Sequence, residues 1–336
     1  MTTRRGALQY LALLCGSPAM GAQGAQPKRI GLLAEGPPSN LEAGERRFWA
    51  LMKQRGWVLG ENILVERRFA NWNVDRLPAL AQELLGKDVD VIISVAGQDA
   101  MVAAARATRS VPIVFFDAAV PVERGLIESF PRPGRNLTGV SIVSESEYVI
   151  KRLEFLRAVA PSARRLCWLW GNETLWMSKV DGSRYDWAAS LVEVASRLEF
   201  ETQFFLIRGP EDLTKAFQDA ETWQAQALTA SGRHVGELGQ KIVQLALRHR
   251  LPSAFNGAGY VQEGGLVSYG IPESEIQVME ESMVLYVDRI LRGARPADLP
   301  AVGPSRYELA INLKTAQSLG LTIPQAMLVR ADKLFQ

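Results

Sequence analysis

The residues best placed for chemistry sit where short apolar runs stop. Glu35-Gly36 follows Ile30–Ala34, Gly97-Gln98-Asp99 comes just after Val89–Val95, and Asp117-Ala118-Ala119 follows Val111–Phe116. Further on, Gly171-Asn172-Glu173 ends Arg165–Trp170, Ser231-Gly232 ends Ala227–Ala230, and Asn256 ends Pro252–Phe255. Small and polar residues just ahead of a helix leave backbone N–H groups free to hold a carboxylate. An acid such as Asp117 or Glu173 would pair with an amine, so the set suits a zwitterion such as an amino acid. Each member is also an ordinary turn former or helix cap. What sets the group apart is that both halves of the chain contribute. Trp176, in a polar loop, and Ser141, between the halves, complete the candidate wall of a ligand cleft.

Other chemistry is missing. The sequence has no G-x-S-x-G elbow and no H-E-x-x-H. Gly134 to Gly139 has the glycine spacing of a phosphate loop, but Val140 stands where lysine is required. The turn from Gly31 to Gly36 lacks G-x-G-x-x-G, and Gly257-Ala258-Gly259 starts that pattern without completing it, so no dinucleotide and no other cofactor is expected. The two histidines, His234 and His249, leave little for metal binding. His234 reads either as a cleft residue, ligand contact or general base, or as an exposed first-turn residue. His249 reads as a solvated helix end. Cys167, inside an apolar strand, reads as a buried small hydrophobe, and Trp168, Trp170 and Trp187 as core.

The elements that must position these residues alternate. Strands are predicted at 30–34, 62–69, 89–95 and 111–116, with helices at 41–55, after Asp75, and over 100–108. That order argues for a doubly wound parallel sheet. After Thr138–Ser141 the theme restarts, with helices over 147–159, 183–198, 211–224 and 234–249 and strands over 165–170, 199–207, 227–230, 252–255 and 265–269. A long helix over 275–291, a proline-rich stretch at 296–304, a strand at 309–313 and a helix at 314–319 close the chain. The fold class is thus α/β, in two halves of similar rhythm.

The bulk properties fit. The chain has 336 residues, 47% of them hydrophobic and 22% charged, with a net charge of +2, which argues against a nucleic-acid partner. Residues 1–26 read as a signal peptide: Arg4 and Arg5, an apolar stretch from Ala7 to Cys15, then a cluster of small residues. Loss of Arg4 and Arg5 would leave basic and acidic residues equal at 36, and loss of Cys15 would leave a single cysteine.

Several strings are familiar together. They are Asp75-Arg76-Leu77-Pro78-Ala79-Leu80-Ala81, Val111-Pro112-Ile113-Val114-Phe115, Arg132-Pro133-Gly134-Arg135-Asn136-Leu137-Thr138-Gly139-Val140-Ser141 and Gly264-Gly265-Leu266-Val267-Ser268-Tyr269-Gly270. Tyr307-Glu308-Leu309-Ala310-Ile311-Asn312-Leu313-Lys314-Thr315-Ala316, continuing to Asp332, is the most telling. Over about 28–336 the chain resembles the extracytoplasmic ABC-transporter substrate-binding proteins of the tryptophan/tyrosine type. The resemblance implies two doubly wound parallel-sheet lobes joined by a multi-strand hinge, as in type I periplasmic binding proteins. Lobe one would be 27–139 plus about 276–302, and lobe two 140–275 plus about 303–336. Thr138–Ser141 would be the first crossing, and the last helix and strand would complete the hinge. The chain would be a periplasmic monomer that binds a small-molecule solute and presents its closed form to a membrane permease. Two departures weaken any transfer of the ligand: the loop after Trp170 keeps only Asn172 of an asparagine/proline-rich pattern, and Ser231-Gly232-Arg233-His234 lacks the usual aspartate. A sensor subunit serving a signalling partner, and an extracytoplasmic enzyme on the same fold, are the alternatives.

Overall fold

The computed structural model describes residues 26–336 except 96, 117–118, 142–146 and 172–176, with the backbone alone at 147, 233 and 234. The predicted signal peptide therefore lies outside the described residues apart from Gln26.

The first half runs β1 (Lys28–Ala34), α1 (Glu42–Gln54), β2 (Ile63–Phe69), α2 (Leu77–Leu85), β3 (Val91–Val95), α3 (Gln98–Ala107), β4 (Ile113–Phe116) and β5 (Leu137–Val140). The strands form a five-stranded sheet in the order β2-β1-β3-β4-β5, parallel throughout. β3 shows why its apolar run is continuous. Ile92 packs with α2 and α3 on one face, while Val91, Ile93 and Val95 pack on the other. Both faces are covered, so the strand is apolar apart from the small Ser94, whose buried hydroxyl has no hydrogen-bond partner among the described residues. Each such Val or Ile contributes about 1.5–3 kcal/mol by leaving water.

The second half runs α4 (Glu147–Val159), β6 (Arg165–Trp170), β7 (Met177–Ser178), β8 (Arg184–Tyr185), α5 (Trp187–Arg197), β9 (Glu201–Leu206), α6 (Asp212–Thr222), β10 (Ala227–Ser231), α7 (Arg233–Glu237), α8 (Gly239–Arg248), β11 (Ser253–Phe255), α9 (Ala258–Gln262) and β12 (Val267–Gly270). It is followed by α10 (Glu273–Leu291), β13 (Glu308–Asn312), α11 (Leu313–Leu319), α12 (Gln325–Arg330) and β14 (Lys333–Phe335). A seven-stranded sheet has the order β14-β13-β12-β11-β10-β6-β9. Its one antiparallel pairing is β12 with β13; β7 and β8 form a separate hairpin.

The chain passes between the sheets after β5, between β12 and α10, and ahead of β13. α10 returns to the first sheet, where Met279, Met283, Val284 and Val287 pack with residues of β1 and β3. At the crossing, the Ser141 N–H donates to the Val302 carbonyl at 2.8 Å and the Val302 N–H to the Gly139 carbonyl at 3.0 Å. Two α/β halves with parallel sheets and several connecting segments are thus the architecture expected from the sequence.

The details differ in places. Leu137–Val140 is the edge strand of the first sheet, paired with β4, so the crossing begins only at Ser141. The last predicted strand, at 309–313, is β13 and pairs with β12 inside the second sheet, and β14, which was not predicted, pairs with β13. The helix predicted over 234–249 divides at Leu238. Gly236 and Gly239 weaken it there, and the Tyr260 ring packs so close to Gly239 that a Cβ would lie 2.6 Å from it. His249, predicted to be solvated, lays its ring on Phe217 at 5.3 Å between centroids. Cys167 is fully buried, as its apolar neighbours predict.

Candidate functional site

In an open α/β sheet, the crevice for a ligand lies at the carboxyl ends of the strands where the order reverses. In the seven-stranded sheet that point falls between β6 and β10, because the chain moves from β6 to β9 on one side and to β10 on the other. A cavity of about 80 Å³ lies there. Trp168 and Trp170 of β6 form one wall. They face the same side because alternate strand residues do, while Cys167 and Leu169 pack with α6 and α8 on the opposite face. Tyr148 and Val149 come from α4, Met177 from the hairpin, and Trp187 and Leu191 from α5. Asp186 fixes the start of α5 by accepting from the Ala189 N–H at 2.8 Å, which sets where Trp187 points. Ser231 and Gly232 close the end over β10, and Gln98 and Ala119 approach from the first half. Gly232 has φ 106°, and a Cβ would lie 2.8 Å from the Gly171 nitrogen, so the turn needs glycine.

The most unusual charge stands behind this wall. Arg152, on α4, is 1% exposed. Its Nη2 donates to the Ser231 hydroxyl at 3.2 Å, while Nε and Nη1 are buried without a hydrogen-bond partner. The guanidinium lies 5.7 Å from the centre of the Tyr148 ring and 6.0 Å from that of Trp168. Burial lowers its pKa from the ordinary arginine value, with the neighbourhood of Tyr148 and Tyr260 acting the other way. Arginine nonetheless stays protonated in proteins. A desolvated cation–π contact contributes about 2 kcal/mol, less than the several kcal/mol needed to take a cation out of water. Trp168 Nε1 is a second buried donor without a partner.

The first-half side is organised by Glu35. Its carboxylate accepts from the Asp99 N–H and, at 3.3 Å, from the Ala100 N–H at the start of α3. The helix N-terminus that the sequence offers to a ligand carboxylate thus holds a carboxylate of the chain itself. Gly97 makes this approach feasible: a Cβ would lie 2.1 Å from Glu35 Cδ. Arg124, fully buried, donates to Asp99 Oδ1 at 2.8 Å and to the Ser178 carbonyl of the hairpin at 2.8 Å. Burial lowers its pKa, opposed by the negative charges of Asp99 and Glu35.

Of the residues singled out from sequence, Gln98 and Ser231 line the cavity. Glu35 and Gly97 lie at the start of α3, and Gly36 packs under the Trp72 ring. Ser141 is held at the crossing, and Asn256 is exposed beside Gly270. Asp117, Ala118, Asn172, Glu173 and Trp176 lie outside the described residues. Sequence reasoning assigned Trp168, Trp170 and Trp187 to the core and passed over Tyr148 and Arg152. One signal was present: Arg152 falls on the buried stripe of α4 with Val149, Leu153 and Leu156. Among the described residues no group of His, Cys, Asp and Glu could hold a metal ion, and no helix is long and apolar enough to cross a membrane.

Comparison with known proteins gives this geometry a context. Residues 48–335 match the family described as ABC transporter substrate binding protein. A tyrosine-binding protein of Clostridioides difficile is 23% identical over 297 residues, which span 88% of this chain and 81% of that one. A conserved domain protein of Vibrio cholerae superposes with a TM-score of 0.73 at 22% identity, covering 92% of this chain and 100% of its own. The ABC domain of Streptococcus pneumoniae in complex with L-Trp superposes with a TM-score of 0.70 at 20% identity, over 91% of this chain and 100% of that one. At these identities the structural likeness speaks to the fold.

Proposed function

Because the chain belongs to the ABC transporter substrate-binding protein family, we propose that it is the extracytoplasmic solute-binding component of an importer. It holds a small amino-acid-like or other carboxylate-bearing solute between two lobes that close about the crossing segments, without turning it over. Lobe one is 27–139 plus about 276–302, and lobe two is 140–275 plus about 303–336. The protein acts as a periplasmic monomer whose leader is removed on export, and its closed form docks on a membrane permease.

The observation that carries this reading is the aromatic cavity at the end of β6, with Gln98 and Ala119 from one half facing Ser231 and the tryptophans of the other. Ligand pockets are mostly apolar, with a few placed polar groups, and closure buries a solute between lobes. The names of two similar proteins, one tyrosine-binding and one bound to L-Trp, support an aromatic amino acid as the solute. The departures at Glu173–Trp176 and Ser231–His234 leave room for a related acid.

The test is mass spectrometry of solute released from natively purified protein, followed by a thermal-shift screen of a metabolite library. A ligand at 100 times its Kd should add about 2.7 kcal/mol of stability. A protein that carries no solute and is stabilised by no member of the library would contradict this reading.

A further inference from the structure

Arg152 is a buried cation without an acidic partner among the described residues. α4 carries it into the core of the second half between Val149, Leu153 and Leu156, all buried. No carboxylate of the described residues pairs with it. It makes one hydrogen bond, to the neutral Ser231 hydroxyl, and Nε and Nη1 have no acceptor. Contact with two aromatic faces does not offset the desolvation of a full charge. The three groups it touches, Tyr148, Trp168 and Ser231, all line the cavity. Trp168 adds a further unpartnered donor, Nε1, in the same wall. Arg152 itself stands directly behind these lining groups, and a planar carboxylate matches its guanidinium fork, taking two parallel N–H bonds. Beyond the donors, the walls are flat and apolar: Trp170, Trp187, Met177 and Leu191.

We infer that Arg152 is the carboxylate anchor of this cavity, assisted by Ser231, and that the ligand is an aromatic monocarboxylate recognised by its acid group and ring. This rests on the solute-binding reading above and deepens it: the acid group, not an amine, is the required handle. An α-amino group is accepted but not needed.

The experiment is calorimetric titration of the purified protein with 3-phenylpropionate, L-tyrosine and tyramine, the last having lost the carboxylate. The wild type should bind the two acids and not the amine. Arg152→Met, similar in length and uncharged, should weaken binding of both acids by about 100-fold, the order of a lost charge-assisted pair. Arg152→Lys should recover part of that loss, and Ser231→Ala, which leaves the guanidinium in place, should cost about 3- to 10-fold. Melting without ligand separates anchor from strut. An unpaired cation replaced by an apolar chain of similar volume should leave the Arg152→Met protein melting at or above the wild-type temperature. A lower melting temperature together with unchanged affinity for either acid would overturn the inference, as would tighter binding of tyramine than of L-tyrosine. Failure of the wild type to bind either acid would overturn it too. The library screen then decides whether the broader reading falls with it, because a solute of another class found there would leave that reading standing.

Discussion

Glu35 and Gly97 act as one device. The carboxylate reaches the first N–H groups of α3 only because residue 97, at φ 152°, has no side chain to meet it. Gly97→Ala is expected to displace the carboxylate and destabilise the protein by about 2–4 kcal/mol, combining backbone strain with a lost buried hydrogen-bond acceptor. Urea unfolding measures this, and a change below the usual scatter of surface mutants would sink the account. Cys167 gives a second test at this scale. Burial pushes its thiol pKa well up, so the reactive thiolate is suppressed. The native protein should resist a thiol reagent at about pH 8 and react only on unfolding; rapid native labelling would contradict the buried placement. Cys167 was legible in the sequence because its neighbours are apolar along one strand. The setting of Arg152 was not, because a charge on an apolar helix stripe usually finds an acid elsewhere in the chain, and only the packed structure shows that this one pairs with none among the described residues.

Between elements, the hairpin of β7 and β8 belongs by sequence to the second half but is gripped by arginines of the first. Arg106 donates to the carbonyls of Lys179 and Val180, and the Val180 N–H donates to the Arg124 carbonyl at 3.1 Å. Arg106→Ala should therefore speed proteolysis at the Lys179–Ser183 turn several-fold while shifting global stability by less than about 1 kcal/mol. Equal cleavage rates in the two proteins would mean that the grip is incidental. A second tie joins α1 to β2. Burial alone would raise the Glu45 carboxyl, but hydrogen bonds from Arg67 and Trp49 outweigh it and hold the pKa below the ordinary carboxylate value. A lowered folded pKa contributes stability above the unfolded value and loses it as pH falls through the folded one. Glu45→Gln should accordingly flatten the loss of stability below about pH 4.5; an unaltered acid limb would exclude that contribution. The long helices were legible because three or four apolar residues repeat with their period. Strands of two residues carry no period, so the hairpin was not legible.

At the scale of the whole molecule, the two sheets are joined by segments that cross near Ser141, Ile271 and the stretch after Val302, with α10 packed back on the first sheet. Hinge closure requires that saturating ligand reduce the radius of gyration in small-angle scattering; an unchanged profile with a bound ligand would count against it. Two α/β halves and the buried faces of their strands followed from the sequence by itself, because periodicity is a local property of the chain and a one-residue error would turn every side chain to the wrong face; the binding-protein resemblance came from strings such as that over 307–316. The tertiary structure alone decided that β6 lies beside β10, that Trp168 and Trp170 meet Ser231 there, and that Glu35 fills the start of α3 while Arg152 has no acid beside it among the described residues. These contacts join residues tens of positions apart. They depend on the order of strands in the sheet and on which charges share a buried space, and neither is written in the local pattern of apolar and polar residues.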